Sequence, residues 1–339
     1  MANAPEKIDK HRFDPAPKDD SDNERIAKPQ LSFSKDAWLR VRKNKAAIIS
    51  AIVLLLVIIM SAIGPHINQF DGYEQDVSKG NLPPRIPVLE DMGIFDGSQE
   101  VGGVETNKYE ELGIEEYYWF GTDSLGRDLF TRVWLGTRVS LYIAVLAAAI
   151  DMLIGVIYGL VSGFKGGRTD NVMQRILEIL SGVPNLIVVI LMLLILQPGI
   201  MSITIAMVIT GWIGMARVVR GQTLKLRDQE YMLASRTLGA KNNRLLFKHL
   251  LPNLSGVIII NTMFTVPSAI FFEAFLSFIG IGLQAPAASL GTLIEDGYKT
   301  FQFLPHLMVI PCIVISVILI TCNLIGDGLR DAFDPKMRD

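Results

Sequence analysis

The chain has 339 residues, of which half are hydrophobic and 19% are charged, and its mean hydropathy is positive at +0.36. This composition is typical of a membrane protein and excludes an ordinary soluble domain. The formal net charge of −2 excludes bulk attraction to nucleic acid, so any functional charge must be local.

The N-terminal part of the chain predicts two elements that precede the membrane spans. Residues 1–30 are rich in Pro, Asp, Lys and Asn and have few large apolar side chains, which predicts a disordered tail. Residues 31–45 mix aromatic and aliphatic side chains with Lys and Arg, which predicts an amphipathic helix on an anionic membrane surface. The first apolar stretch starts only near Ala46, so it is not expected to be a cleaved export signal.

Six apolar stretches are candidates for transmembrane helices, because a hydrocarbon core about 30 Å thick needs roughly 20 helical residues. They cover residues 46–63, 140–162, 176–196, 200–215, 254–278 and 307–325. The third contains Glu178 and Pro184, and it is joined to the short fourth stretch so closely that a tight hairpin is expected. The predicted fold is an all-α membrane protein with six transmembrane helices.

The distribution of Lys and Arg predicts the orientation of these helices. The loop over residues 217–253 carries eight basic residues and two acidic ones, whereas residues 65–126 carry thirteen acidic residues and three basic ones. We therefore expect an extracytoplasmic acidic loop over 64–139 and a five-helix core over 140–325. Both termini would be cytoplasmic, with a short C-terminal tail over 326–339.

A polar segment between the fourth and fifth spans, residues 228–253, predicts two short helices joined at a glycine, and we call it the hinged segment. Asp228 is placed to cap the first helix, and Gly239 is placed to end it in the left-handed conformation. An asparagine, Asn242 or its neighbour, would cap the second helix, which is expected to end near Pro252. Helical order on both sides of a central glycine, with many charges, predicts a docking surface.

The first helix of the hinged segment has one apolar face that includes small residues. Tyr231, Ala234, Ser235 and Leu238 occupy positions i, i+3, i+4 and i+7. Small side chains on this face would let another protein backbone approach closely.

The hinged segment resembles the cytoplasmic "EAA loop" of ABC importer permeases, in which Glu-Ala-Ala is followed by three residues, Gly, nine residues and Ile-x-Leu-Pro. Four residues match that pattern in type and spacing: Ala234, Gly239, Leu251 and Pro252. Three positions depart from it: Leu233 replaces the Glu, Ser235 the second Ala and His249 the Ile. The helix-glycine-helix geometry does not depend on the missing carboxylate.

Two further stretches resemble the dipeptide and oligopeptide permease subfamily, which also includes nickel permeases. One is Gly-Thr-Asp-Ser-Leu-Gly-Arg-Asp over residues 121–128, just before the second span. The other is Glu-Ala-Phe-Leu-Ser-Phe-Ile-Gly-Ile-Gly-Leu over residues 273–283, at the end of the fifth span. Together with the span layout, the resemblance covers about residues 38–335.

The resemblance implies an ABC type I importer permease architecture in which the hinged segment forms a coupling helix seated on a separate cytoplasmic ATPase. The residues that would carry this contact are Glu230, Tyr231, Ala234, Ser235, Arg236, Leu238, Gly239 and Ala240. The implied partners are a second homologous permease, two ATPase subunits, an extracytoplasmic substrate-binding protein and membrane lipid, without nucleic acid. The implied location is the cytoplasmic membrane of a prokaryote, and the cargo would be a di- or oligopeptide.

No cofactor is expected on this chain, and ATP and magnesium would be bound by the partner ATPases. The sequence has no Gly-x-x-x-x-Gly-Lys-Ser/Thr phosphate loop, and its four scattered histidines suggest no metal site. It also has no His-Glu-x-x-His motif, which argues against an intramembrane enzyme. Two alternatives stay open: nickel or another small solute as cargo, and a secondary transporter without ATPase partners, which would need inverted repeats or a chain of buried charges.

Four polar residues within the predicted spans are candidates for the translocation pathway or for the contact with a second permease. They are Asp151 in the second span, and Thr262, Glu273 and Ser277, which share one side of the fifth. Asp151 could equally serve a structural pairing. The stretch over residues 121–138 has two interpretations: local turns and caps made by its Asp and Arg residues, or an outer collar or gate.

Overall fold

The structure, a computed structural model, describes residues 33–101, 104–197 and 199–333. The tail predicted over 1–30 lies outside these ranges. Helix α1 (Phe33–Val41) occupies the segment for which an amphipathic helix is expected. Helix α2 (Lys45–Ile63) follows, and its N-terminus is capped by Asn44, whose side-chain oxygen accepts the amide of Ala47 at 3.1 Å.

Five continuous helical segments are long and apolar enough to cross a membrane. They are Lys45–His66, Leu129–Lys165, Ile200–Arg227, Asn242–Phe278 and His306–Phe333. A sixth candidate is a bent pair, α6 (Gly167–Gly182) and α7 (Asn185–Leu196), whose axes differ by 77°. The described residues thus contain five candidate spans, or six if the bent pair crosses as one.

The third span is not the single helix expected over 176–196. Pro184 lacks a backbone N–H and its ring clashes with a preceding turn, so α6 ends at Gly182 and α7 starts afresh at Asn185. The bend leaves residues 181–187 exposed. A proline that was expected only to interrupt the span instead redirects the chain.

Several helices are longer than their apolar stretches. Helix α4 (Leu129–Ile150) continues through a π-helical turn (Asp151–Gly155) into α5 (Val156–Lys165), so the acidic loop ends at residue 128 and not at 139. The fourth span is α8 (Ile200–Thr210) followed by α9 (Ile213–Arg227). The last helix, α14 (His306–Phe333), includes most of the segment expected as a C-terminal tail.

The second helix of the hinged segment does not end near Pro252, as the sequence led us to expect. It begins as α11 (Asn242–Arg244), passes through a π-helical turn (Leu245–Leu250) and continues as α12 (Leu251–Phe278). The wider π turn hydrogen-bonds its residues five apart, and the proline that follows it is accommodated without a break. Lys241 precedes the helix without a side-chain cap, so the predicted asparagine cap is also wrong.

The acidic loop is folded. It contains an antiparallel hairpin, β1 (Ser98–Val101) and β2 (Val104–Asn107), followed by the short helix α3 (Lys108–Leu112). Three single 3-10 turns, Gly64–His66, Val77–Lys79 and Glu90–Met92, mark its course. Its own apolar cluster consists of the buried residues Leu82, Tyr109, Ile114 and Tyr118.

Helices α4, α12 and α14 share the largest apolar cluster with α13 (Leu290–Lys299), a helix that the sequence did not predict. Ser289 and Thr292 form a reciprocal capping box at the start of α13. Glycine allows close helix contact here, since a Cβ at Gly291 would lie 2.5 Å from Ala274 Cα of α12. This packing places the polar end of α12 against the start of α13.

Candidate functional site

The first helix of the hinged segment, α10 (Glu230–Thr237), ends in a Schellman motif. Gly239 has φ +83° and donates its N–H to Arg236 at 3.0 Å, while Ala240 donates to Ser235 at 3.1 Å. Glycine reaches this left-handed region without the penalty of a side chain. The predicted role of Gly239 in ending the helix is confirmed.

The predicted N-terminal cap of α10 is wrong. Gln229 precedes the helix without a side-chain capping hydrogen bond, and Asp228 ends the preceding helix α9 instead. The carboxylate of Asp228 accepts a hydrogen bond from Arg227 Nε at 3.0 Å, and this bond lowers the pKa of Asp228. The Asp228 carboxylate therefore binds the guanidinium of Arg227 and not the free backbone amides at the start of α10.

One side of α10 is anchored to the protein. Met232 is only 2% exposed and belongs to an apolar cluster with Leu245 and Leu250 of the π-helical turn. The guanidinium of Arg236 lies over the ring of Phe164 in α5, 5.9 Å from its centroid. The helix is therefore held in a fixed position relative to α5 and to the start of the fifth span.

The opposite side of α10 is open. Leu238 is 88% exposed and Tyr231 is 40% exposed, and Phe247 on the following π-helical turn is 66% exposed. Of the eight residues expected at a partner contact, six are exposed: Glu230, Tyr231, Ala234, Arg236, Leu238 and Gly239. Ser235 and Ala240 are half-buried. Exposed apolar side chains beside an anchored face indicate a surface that another protein can cover.

The hinged segment is clamped to the spans through α9. Arg227 Nη1 donates to the carbonyl of Gly163 in α5 at 3.0 Å. A Cβ at Gly159 would lie 2.6 Å from Ala216 O, so α5 and α9 touch backbone to backbone. The hinged segment is thus joined directly to two helices of the core.

Glu273 and Ser277 lie in a buried hydroxyl network inside the chain. Glu273 is 0% exposed and accepts hydrogen bonds from Ser140 of α4 at 2.9 Å and from Ser277 at 2.8 Å. Ser289, at the cap of α13, lies 3.4 Å from the Ser277 hydroxyl. Thr262 is elsewhere on α12, where its hydroxyl donates to its own helix at Ile258. The structure therefore brings two of the three stripe residues together, and it surrounds them with this chain's own helices.

Asp151 lies at the start of the π-helical turn in the second span and is 5% exposed. Its carboxylate accepts a hydrogen bond from the hydroxyl of Thr265 in α12. Thr265 lines a cavity of about 150 Å³ between the spans. The sequence did not single out Thr265, because the two residues are 114 positions apart and no local pattern joins them.

The stretch over residues 121–138 forms local turns and caps, in agreement with the first of its two interpretations. Asp123 accepts the Leu125 amide at 2.9 Å and Arg127 Nε at 2.7 Å. Asp128 caps α4 by accepting the Thr131 amide at 2.8 Å, and its burial raises the pKa of this carboxyl. Arg132, which the sequence did not single out, is also buried, with its Nε 3.4 Å from Asp123.

The chain matches two protein-family models. Residues 155–339 match the model described as "Binding-protein-dependent transport system inner membrane component". The chain belongs to this family. Residues 32–84 match a second model, "N-terminal TM domain of oligopeptide transport permease C". The predicted family is therefore confirmed.

Relatives of this inner membrane component match it over nearly their whole length. It is 45% identical to the oligopeptide transport system permease protein OppC of Bacillus subtilis, over 98% of this chain and 99% of that one. It is also 45% identical to the dipeptide transport system permease protein DppC of the same organism, over 92% of this chain and 89% of that one. Among solved structures, a chain of the MetNI methionine ABC transporter in an inward-facing conformation is similar to this one. The match covers 59% of this chain and 96% of that chain, at 18% sequence identity and a TM-score of 0.48.

Proposed function

We propose that this inner membrane component is the permease subunit of an ATP-driven importer and forms half of a translocation pathway for di- or oligopeptides. A second, similar permease would complete the pathway in the cytoplasmic membrane of a prokaryote. The cargo follows from relatives named as oligopeptide and dipeptide permeases that match nearly the whole chain. A substrate-binding protein would deliver the peptide to the side that carries the acidic loop.

The observation that carries this proposal is the two-sided character of α10. One side is fixed by Met232 and by Arg236 over Phe164, and the other presents Tyr231 and Leu238 without cover. A helix that is rigidly attached and has an uncovered apolar face can transmit force from a partner seated on it. We assign that partner as one of two cytoplasmic ATPase subunits, which would bind ATP and magnesium.

The geometry supports a defined route for that force. Closure of the ATPases on ATP would move α10, and the Schellman motif at Gly239 would pass the movement to the π-helical turn (Leu245–Leu250) and α12. The contact of Arg227 with Gly163 would pass it to α5 at the same time. The spans would then open the pathway outward, and ATP hydrolysis would return them.

Co-purification of the permease with candidate ATPase subunits tests the proposed contact. Ala234→Arg places a long cation on the exposed face, and Gly239→Pro removes the left-handed turn, because proline cannot adopt φ +83°. Both variants are expected to release the ATPase while the permease still inserts. Ala46→Arg, the same change at an exposed alanine of α2, serves as the matched control and should retain it.

Retention of the ATPase by both hinged-segment variants, or failure of any ATPase to bind the wild type, would favour a secondary transporter instead. Uptake into vesicles then decides the cargo. Radiolabelled trialanine is expected to accumulate with ATP, and ⁶³Ni²⁺ is the comparison for the nickel alternative.

A further inference from the structure

A cavity of about 150 Å³ lies between α4, α7, α8 and α12. Its apolar lining comes from Ala147, Ile150, Met207, Gly211, Ala269 and Phe272. Its polar lining consists of Asn185, Thr265 and Ser268. These three side chains supply four oxygen or nitrogen atoms, and no Lys, Arg or His contributes to the lining that the described residues provide. The cavity therefore offers a neutral or oxygen-rich surface to a ligand.

Asp151 stands directly behind the polar wall of this cavity. Its carboxylate accepts the hydroxyl of Thr265, but its Oδ1 atom is buried and has no hydrogen-bond partner within the part of the chain that the structure describes. No ion pair joins Asp151 to a basic residue there. A carboxylate at membrane depth that lacks a counter-charge is costly, and such residues usually serve transport.

The backbone on both sides of the cavity is irregular. On one side, Asp151 starts a π-helical turn, a feature that is frequent at functional sites. On the other side, the chain bends by 77° before Asn185, whose side-chain oxygen accepts the hydroxyl of Thr210 at 2.6 Å. Irregular backbone at membrane depth is tolerated where it is covered by protein or lines a water-filled space. Ile150, directly before the π-helical turn, and Asn185, directly after the bend, both line this cavity.

We propose that this cavity binds a protonated amino group of the transported solute, with Asp151 as its counter-charge. An ammonium carries three donors. The Thr265 hydroxyl and the Asn185 side-chain oxygen line the cavity and can accept from it. The buried free oxygen of Asp151 behind Thr265 becomes the third acceptor once the Thr265 hydroxyl rotates away from the carboxylate. This inference rests on the proposed function, because a peptide carries such a group at its N-terminus. A lysine side chain has the same chemistry, so the test separates the two sources.

A thiol reporter in the complete transporter tests the charge preference without relying on the binding protein. The reporter is Ser268→Cys, placed on the cavity wall in a chain whose natural thiols are removed by Cys312→Ser and Cys322→Ser. Two methanethiosulfonates are compared, one with a trimethylammonium group and one with a sulfonate. After correction for their rates with free cysteine, the cationic reagent is expected to react about tenfold faster, given the strength of charge pairing inside a protein.

Asp151→Asn keeps the size of the side chain and should abolish that preference. Glu178→Gln removes a carboxylate of α6 that is exposed, pairs with Arg175 and does not line the cavity, so it should leave the preference intact. Equal preferences with and without the Asp151 carboxylate would overturn the proposal. The proposal would also be overturned if the Ser268→Cys reporter reacted equally fast with both reagents while Asp151 is unchanged.

Protection by peptides provides a measurement that needs no change at Asp151. Trialanine is expected to slow labelling of the reporter severalfold, and N-acetyl-trialanine is not. N-acetyl-Ala-Ala-Lys shows whether a side-chain ammonium can substitute for the N-terminal one. Equal protection by trialanine and its acetylated form contradicts the inference. The proposed function fails if no peptide is transported and none stimulates ATP hydrolysis. In that case, the difference in rate between the two reagents still shows whether the cavity prefers cations. Its loss in Asp151→Asn still shows whether this carboxylate causes the preference.

Discussion

The guanidinium of Arg220 holds the carboxylate of Asp170 through two hydrogen bonds, each 2.6 Å long, and so ties α9 to α6. Asp170 also accepts the hydroxyl of Ser162 in α5. Three helices therefore meet at one carboxylate, at the end of the core nearest the hinged segment. This fork geometry requires the planar guanidinium and is not reproduced by an ammonium.

We expect Arg220→Lys to weaken this junction, because lysine can make only one of the two bonds. The loss should be about 1.5 to 3 kcal/mol, the usual range for a hydrogen bond to a charged group. Thermal unfolding of the purified complex measures it. In a double-mutant cycle, Asp170→Asn combined with Arg220→Lys should cost less than the sum of the single changes. Strict additivity would show that the pair does not stabilise the junction.

Gly239→Ala is expected to weaken ATPase coupling through backbone strain alone. Nothing lies within 4 Å of the position that a Cβ would take, so the cost is that of φ +83°, about 1 to 2 kcal/mol. The measurement is the ratio of transport to ATP hydrolysis. Gly113→Ala is the matched control, since Gly113 ends α3 in the acidic loop with φ +65° and equally open surroundings. An equal drop in that ratio for both variants would show that a general loss of stability, and not the hinge, is responsible.

Glu273→Gln should destabilise the packing of α4, α12 and α13. Serine hydroxyls donate to both carboxylate oxygens, and an amide NH₂ would face one of these donors with a donor of its own. We expect a loss of about 1 to 3 kcal/mol, measured by thermal unfolding, and a smaller one for Ser140→Ala. A stabilised Glu273→Gln protein would contradict the observed direction of the hydrogen bonds.

The acidic loop should open locally in acid. Lys79 donates to Glu116 at 2.8 Å, and this bond lowers the pKa of Glu116 and raises the pKa of Lys79. Because the folded pKa of Glu116 is depressed, its stabilisation is present above the unfolded value of 4.5 and is lost as pH falls through the lower, folded value. The stabilisation from Lys79 is present below 10.5 and is lost only as pH rises through its raised pKa.

Hydrogen exchange of the 3-10 turn Val77–Lys79 measures this opening as pH falls below about 4.5, the ordinary glutamate range. Glu116→Gln lacks the titrating group, so its exchange should already be fast at neutral pH and should change less on acidification. An acid response of wild-type size in that variant would assign the effect to other carboxylates.

The sequence predicted those features that depend on neighbouring residues. The apolar length of residues 46–63 and the glycine at 239 each determine a local conformation, and the structure has α2 and the Schellman motif there. The shape of the third span was missed because the angle at Pro184 depends on how α6 and α7 pack. Pro252 was taken as a helix end because nothing in the sequence signals the π-helical turn that accommodates it.

In the candidate site, too, local features could be predicted from the sequence and contacts between distant residues could not. The exposure of α10 could be anticipated from the residue types on its surface. The anchoring of Met232 and the placement of Arg236 over Phe164 depend on residues distant in sequence, as does the contact of Asp151 with Thr265. Glu273 could be recognised as a polar residue in a span, but only the packing of Ser140 against it shows what it contacts.

The glycines at 155, 159 and 163 make α5 and α9 mechanically a single body. A Cβ at each would lie within 2.8 Å of an atom in α9, so the two helices are in direct contact along this whole face. If a partner ATPase moves the hinged segment, this two-helix unit would carry the movement to the π-helical turn at Asp151. Gly159→Leu would then push the two helices apart, and ATP hydrolysis would continue without driving transport.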